Sequence, residues 1–213
     1  MSTQLDNLPE ASHAPLQEAD MPANPFDLFT IWFSEVLAAD IHEPAAMTLA
    51  TATPQGRPSA RVVLMRGFDQ QGFCFYTNYQ SRKGQELAAN PWAALDFWWG
   101  KLGRQVRIEG RVAKLTAAES DAYFNSRPLG SRLSALVSAQ SQVIASREVL
   151  EEALHALAAQ SADGSPSRPA HWGGYRVAPV TIEFWQHGPH RLHDRLRYTR
   201  QADSNWVMAR LAP

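Results

Sequence analysis

The chain has 213 residues, 45% hydrophobic and 19% charged, which supplies one substantial core. Its 20 Lys and Arg against 21 Asp and Glu give a net charge of -1. This excludes recognition of nucleic acid or a membrane surface through an overall basic field, so any anion recognition must be local.

Residues 1–23 are polar, acidic and rich in Ala and Pro, and predict a mobile tail before a single domain over residues 24–213. Asn24-Pro25 supplies a cap and a proline at the first helical position. Leu28, Trp32, Phe33, Val36 and Leu37 then recur at helical spacing to about Asp40. From Met47 the pattern turns to strands: Met47–Thr53, Ser59–Phe68 and Phe73–Asn78, joined by turns at Pro54–Gly56 and Asp69–Gly72, predict an antiparallel meander. The single cysteine, Cys74, sits in the last of these apolar runs and reads as a buried structural thiol. With no apolar stretch long enough to span a bilayer and no signal-peptide pattern, a reducing cytoplasm is the expected compartment.

Ser81–Ala89 predicts a short helix, followed by strands over Trp92–Trp99 and Arg104–Leu115. Thr116-Ala117-Ala118-Glu119 fits a capping box opening a helix that stops near Pro128. Ser146–Ala159 predicts another helix, and residues 161–169 a Ser/Pro/Gly loop. Strands at Val177–Trp185, Arg191–Thr199 and Trp206–Leu211 close the chain. The expected fold is α+β, built on an antiparallel barrel with inserted helices.

Several groupings bear on chemistry. As a strand, Arg191–Arg197 places Arg191, His193, Arg195 and Arg197 on one face, which is either solvated or set to hold an anion. Phe75–Asn78 running into Ser81-Arg82-Lys83 joins a strand to a helix start, where free amides, the helix dipole and two cations favour a phosphate, or simply make a capped helix with exposed basic residues. Strict alternation separates Arg61 and Arg66 onto opposite faces unless a bulge realigns them. Tyr123 and Arg127, four apart, and Ser131 just beyond Pro128 suit a phosphate monoester. Trp98, Trp99, Trp172 and Trp185 are available to flank a flat cofactor. His187, His190 and His193 alternate faces with no Cys or carboxylate cluster to complete a site, so no metal is expected.

Taken in order, Arg61–Arg66, Phe75–Asn78, Ser81–Lys83, Arg104–Val106, Ser126–Pro128, Gln140-Ser141, Glu183–Trp185 and Arg191–Arg195 resemble the pyridoxine/pyridoxamine 5'-phosphate oxidase family, from about Asn24 to the terminal Arg210–Pro213. The resemblance implies an FMN-binding split β-barrel and a homodimer with FMN at the subunit interface. It implies flavin contacts from Arg61, Val62, Val63, Leu64, Met65 and Arg66, together with Tyr76, Thr77, Arg82, Lys83 and Gln105. Gln140, Ser141, Trp185 and Arg195 would complete that site, contributed in the family by the second subunit. The substrate phosphate would be held by Arg66, Tyr123, Arg127 and Ser131, with Arg191, Leu192 and His193 at the pyridine ring. Arg191 and His193 are the implied catalytic pair, positioning the substrate rather than attacking it.

The implied reaction oxidises pyridoxamine or pyridoxine 5'-phosphate at C4' to pyridoxal 5'-phosphate, with O2 reduced to peroxide and ammonia released from the amine substrate. Two alternatives are a phenazine-biosynthesis-type FMN oxidase on the same barrel and a noncatalytic flavin- or vitamer-binding protein. The chain departs from the family at Arg66, where lysine is usual. It departs again at Gln17–Asp20, acidic where the family has a basic, tyrosine-containing leader.

Overall fold

The computed structural model describes residues 14–160 and 166–213, so the first part of the expected tail and residues 161–165 of the expected loop lie outside the described residues. Helix α1 (Pro25–Ala38) starts where Asn24 accepts a 3.0 Å hydrogen bond from the Phe26 amide. It buries Phe26, Leu28, Phe29, Trp32 and Val36 along one stripe. There follow β1 (Ala46–Ala52), β2 (Pro58–Leu64), β3 (Gly67–Asp69), β4 (Gly72–Asn78), α2 (Arg82–Ala89), β5 (Trp92–Trp99) and β6 (Arg104–Lys114). Next come α3 (Ala117–Ser126), α4 (Leu129–Val137), α5 (Arg147–Gln160), β7 (Trp172–Gln186), β8 (Asp194–Arg200) and β9 (Trp206–Arg210). The strands are ordered β2-β1-β5-β6-β7-β4-β3, with β8 pairing β7 and β9, in an α+β architecture that curls an antiparallel sheet into a split barrel with helices inserted between strands.

The chain forms two compact units. The first comprises residues up to Leu49, Ala94–Gly110 and Pro179–Pro213. Its core gathers Phe29 against Phe33, Phe97 and Trp99 at ring separations of 5.4 to 5.9 Å, with Trp32 edge-on to Phe184. Residues 14–23 were expected to be mobile, yet Leu16 is buried and its amide donates to Asp194 Oδ2 at 3.0 Å. Arg210 fastens the segment by pairing with both Glu18 and Asp194. The acidic leader is therefore the complement of a basic strand end.

The second unit comprises Ala50–Ala93 and Arg111–Ala178. Here β4 and β7 pair antiparallel from Phe73↔Val177 to Asn78↔Trp172. β7 begins five residues before the expected Val177. Its opening Trp172-Gly173-Gly174 hides the alternation, and a Cβ on Gly173 would stand 2.1 Å from the Tyr79 hydroxyl oxygen.

Three further expectations are corrected. The strand expected over Ser59–Phe68 breaks at Met65-Arg66: Met65 turns into the core, the Arg66 amide donates to the Cys74 carbonyl at 2.8 Å, and β3 pairs separately with β4. Helix α4 was not foreseen, because it is short and carries Gly130, Ser131 and Ser134. The strand expected from Arg191 begins only at Asp194, since Pro189–Arg191 form a 3-10 turn with His190 and Arg191 at φ of 55° and 62°.

Candidate active site

A cavity of about 580 Å³ in the second unit lies over the start of α2 and the faces of β2 and β4. Two sets of cations line it. In the first, Lys83, in the first turn of α2, turns inward and is 9% exposed. Its ammonium donates to Gln140 Oε1 at 2.8 Å, Thr77 Oγ1 at 3.2 Å and Ser81 Oγ at 3.4 Å. All three acceptors are neutral. Burial pushes the Lys83 pKa down, and the charge of nearby Arg61 adds to that. A buried ammonium with neutral acceptors, beside another cation at a helix start capped by Ser81, suits an anion.

Arg66, Tyr123 and Arg127 line the same cavity as a second group. Tyr76, Tyr123 and Trp172 form a stacked wall, with Tyr76 and Tyr123 centroids 3.8 Å apart, and the Arg127 guanidinium lies 4.7 Å from the Trp172 ring centre. Among the described residues, Arg127 Nη1 is buried with no hydrogen-bond partner. Burial lowers the Arg127 pKa, opposed by Tyr123 and reinforced by Arg66, so the two arginines sense each other. Asp69 and Glu119 nearby are engaged by Arg176. Burial raises the Tyr76 hydroxyl to about 12, so it is a donor at neutral pH.

Arg61, Val62, Val63, Leu64, Arg66, Tyr76, Thr77, Lys83, Tyr123, Arg127 and Gln140 all line this cavity. The break after β2 supplies the realignment that alternation denied to Arg61 and Arg66. Arg127 is not on the helix with Tyr123, as the four-residue spacing suggested. It is the extended cap residue (φ −76°, ψ 149°), because the following Pro128 disfavours helical backbone there. Ser131 shares the α4 face of Ser134, Ala135 and Ser138, but only those three reach the cavity. Met65 is buried away from it. Gln140 and Ser141, expected from a second subunit, reach the seat within one chain: Gln140 meets Lys83 and Thr77, and Ser141 Oγ accepts from the Arg82 amide at 3.2 Å.

Trp172 is the aromatic of the expected set that lines the cavity, while Trp99 is buried in the core of the first unit. Gln105, Trp185, Arg191, Leu192, His193 and Arg195 also belong to the first unit. Gln105 lies beside the Asp96 carboxyl and counters the upward push that burial gives its pKa. His193 accepts from the Gly188 amide through Nδ1 at 3.2 Å and lies 4.7 Å from the Trp185 ring. Arg191 and Leu192 are exposed. Of the four groups expected on one strand face, Arg195 and Arg197 keep that relation. The charge opposite them is Glu183 of β7, which pairs with Arg195 at 2.8 Å and sits in register with Arg197.

Sequence reasoning missed Glu86. Its carboxylate, 7% exposed, accepts from Thr51 Oγ1 at 2.5 Å, Ser59 Oγ at 2.6 Å and Arg82 Nε at 2.9 Å, and pairs with Arg61 at 3.4 Å. The available signal was its place beside Leu87, three residues after Lys83, on the buried stripe of α2.

Residues 33–166 match the family model described as pyridoxamine 5'-phosphate oxidase, and residues 172–213 match the pyridoxine 5'-phosphate oxidase C-terminal dimerisation region. The chain is 57% identical over 215 residues to a pyridoxine/pyridoxamine 5'-phosphate oxidase of Burkholderia thailandensis, covering 100% of both chains. It is 58% identical to one of a Nostoc species, over 93% of this chain and 92% of the relative. Among solved structures, PhzG of Burkholderia lata, in complex with tetrahydrophenazine-1-carboxylic acid, superposes with a TM-score of 0.87 at 35% identity, over 92% of this chain and 95% of that one. An FMN-binding, pyridoxamine 5'-phosphate oxidase-related protein of Nostoc punctiforme, at TM-score 0.71 and 17% identity, shares the fold.

The residues present fit FMN: a buried ammonium with neutral partners awaits a phosphate, and a polar-lined cavity within the usual cofactor size range adjoins it. The chain belongs to the pyridoxamine 5'-phosphate oxidase family of FMN-binding split-barrel proteins and is an FMN-dependent oxidase of that family.

Proposed function

We propose that this chain oxidises pyridoxamine 5'-phosphate or pyridoxine 5'-phosphate to pyridoxal 5'-phosphate, with O2 as electron acceptor, as a homodimer in the cytoplasm. The observation that carries this reading is the second cationic seat. Arg66 and Arg127 stand close enough to repel each other, Asp69 and Glu119 nearby are engaged by Arg176, and among the described residues Arg127 presents a buried, unpartnered N–H. Two cations match a phosphate monoester, whose charge near neutral pH is about −1.5 to −2, better than they match a single carboxylate. The 55 to 58% identity to curated relatives named for the vitamer oxidase supports the same substrate.

The chain's residues then have distinct tasks. Lys83, Arg61 and Thr77 hold the flavin phosphate, with Arg82, Gln140 and Ser141 closing over it. Arg66, Tyr123 and Arg127 hold the substrate phosphate. Val62, Val63 and Leu64 supply the apolar cavity edge between the two seats. Arg191 and His193, with Leu192, orient the pyridine ring, and Gln105, Trp185 and Arg195 complete the flavin site. FMN supplies the two-electron redox chemistry, and the protein supplies orientation and charge placement.

A second reading, oxidation of a reduced phenazine carboxylic acid, is favoured by the solved-structure comparison, whose strong match is a protein complexed with such a compound. Anaerobic mixing of the yellow holoprotein with each compound separates the two. Rapid bleaching of the flavin by pyridoxamine 5'-phosphate, with dephosphorylated pyridoxamine at least about 100-fold less effective, is expected from loss of a charge-assisted phosphate contact. Bleaching by tetrahydrophenazine-1-carboxylic acid alone would replace the first reading with the second. Bound flavin that neither compound bleaches would leave only a binding protein.

A further inference from the structure

Glu86 is an acid inside a phosphate seat, where a carboxylate should repel the ligand. Its bonding pattern explains why it is there. A carboxylate only accepts, so the hydroxyls of Thr51 and Ser59, at 2.5 and 2.6 Å, both spend their single proton on Glu86 Oε2. Their lone pairs are thereby turned toward Arg61, whose Nη1 donates to Thr51 Oγ1 at 2.5 Å and whose Nη2 donates to Ser59 Oγ at 2.6 Å. The other carboxylate oxygen, Oε1, takes Arg82 Nε at 2.9 Å. One buried group thus fixes two guanidinium groups, Arg82 directly, and Arg61 both through two oriented hydroxyls and by a longer direct contact at 3.4 Å. The charges also match: Arg61, Arg82 and Lys83 against Glu86 leave two net positive charges, the complement of a phosphate dianion.

We infer that Glu86 is a positioning residue for the cofactor's phosphate, setting Arg61 and Arg82 and trimming the seat to a dianion. The inference rests on the reading that Lys83 and its neighbours hold the FMN phosphate. The isosteric variant Glu86→Gln discriminates because an amide fails in both orientations. With its oxygen toward the hydroxyls, its NH2 faces the Arg82 Nε–H. With its NH2 toward the hydroxyls, their protons are driven onto Arg61.

The test is titration of apoprotein with FMN and with riboflavin, followed by flavin fluorescence quenching, with thermal melting of each apoprotein alongside. Glu86→Gln is expected to weaken FMN about tenfold, the cost of a lost charge-assisted contact, while riboflavin binding stays unchanged. Thr51→Val, which keeps the shape and removes one relay hydroxyl, is expected to weaken FMN about threefold with riboflavin again unchanged, and serves if Glu86→Gln does not fold. Lys83→Ala tests the underlying reading: it should abolish the preference for FMN over riboflavin, and an intact preference would overturn the seat itself. Loss of preference in Lys83→Ala with full preference in Glu86→Gln and Thr51→Val would overturn the role of Glu86 alone. Equal weakening of both flavins in Glu86→Gln would make the residue merely structural and overturn it as well.

Discussion

Arg127 shows how a residue's value depends on what is missing around it. Its guanidinium is stacked on Trp172 and partly buried, yet one N–H has no partner among the described residues, a desolvation cost that a substrate phosphate can offset. Arg127→Ala should therefore raise KM for pyridoxamine 5'-phosphate by about 10- to 100-fold, with a smaller effect on kcat. Steady-state peroxide assays check this, and an unchanged KM contradicts the assignment. Glu86 carries the complementary prediction in pH. Burial pushes its carboxyl up, but hydrogen bonds from Ser59, Thr51 and Arg82 outweigh that and hold it at about 2, below the usual 4.5. A depressed carboxyl stabilises the fold above the unfolded value and loses that contribution as pH falls through the folded one. The stability difference between wild type and Glu86→Gln apoprotein, from urea midpoints, should thus shrink between about pH 5 and pH 2. A difference constant across that window contradicts the pairing. The cations of both seats were legible in the sequence because Arg and Lys beside apolar runs stand out, whereas Glu86 was not. A buried acid on a short, otherwise polar helix looks like any surface glutamate until Arg61, Thr51 and Ser59 are brought to it from distant strands.

At the scale of elements, the seat depends on how closely α2 approaches the chain before it. A Cβ added at Gly84 would stand 2.1 Å from the Tyr79 carbonyl oxygen, a backbone atom that cannot rotate away. Gly84→Ala should push the first turn of α2 outward, carrying Lys83 from Thr77 and Gln140, at a cost of about 1 to 3 kcal/mol in stability and with weaker FMN binding. Thermal melting and flavin titration measure the two effects, and a variant as stable and as tightly flavinated as wild type contradicts the packing. The capping box of α3 was readable because it is a local, four-residue device, and Thr116 and Glu119 form it in full. The break at Met65-Arg66 was not, since Arg66 leaves the strand only when its amide finds Cys74 on β4. The alternation argument over Arg191–Arg197 failed for a related reason. Residues 189–191 coil, with His190 and Arg191 at positive φ, and Glu183 on a neighbouring strand supplies the counter-charge that a single strand omits.

For the whole molecule, the C-terminal match to a dimerisation region leads to the expectation that the holoprotein runs at twice the 23.7 kDa chain mass with one FMN per chain. Light scattering combined with flavin absorbance checks this, and a flavin-loaded monomer contradicts it. The central claim is that one chain carries two phosphate seats lining a single cavity, so that two phosphorylated ligands meet through their rings. Its most direct test is a crystal structure of the protein with FMN and pyridoxal 5'-phosphate bound together. The account predicts the FMN phosphate at hydrogen-bond distance from the Lys83 ammonium and the vitamer phosphate at hydrogen-bond distance from the Arg127 guanidinium. A structure with either phosphate held by other residues, while both ligands are bound, would contradict it.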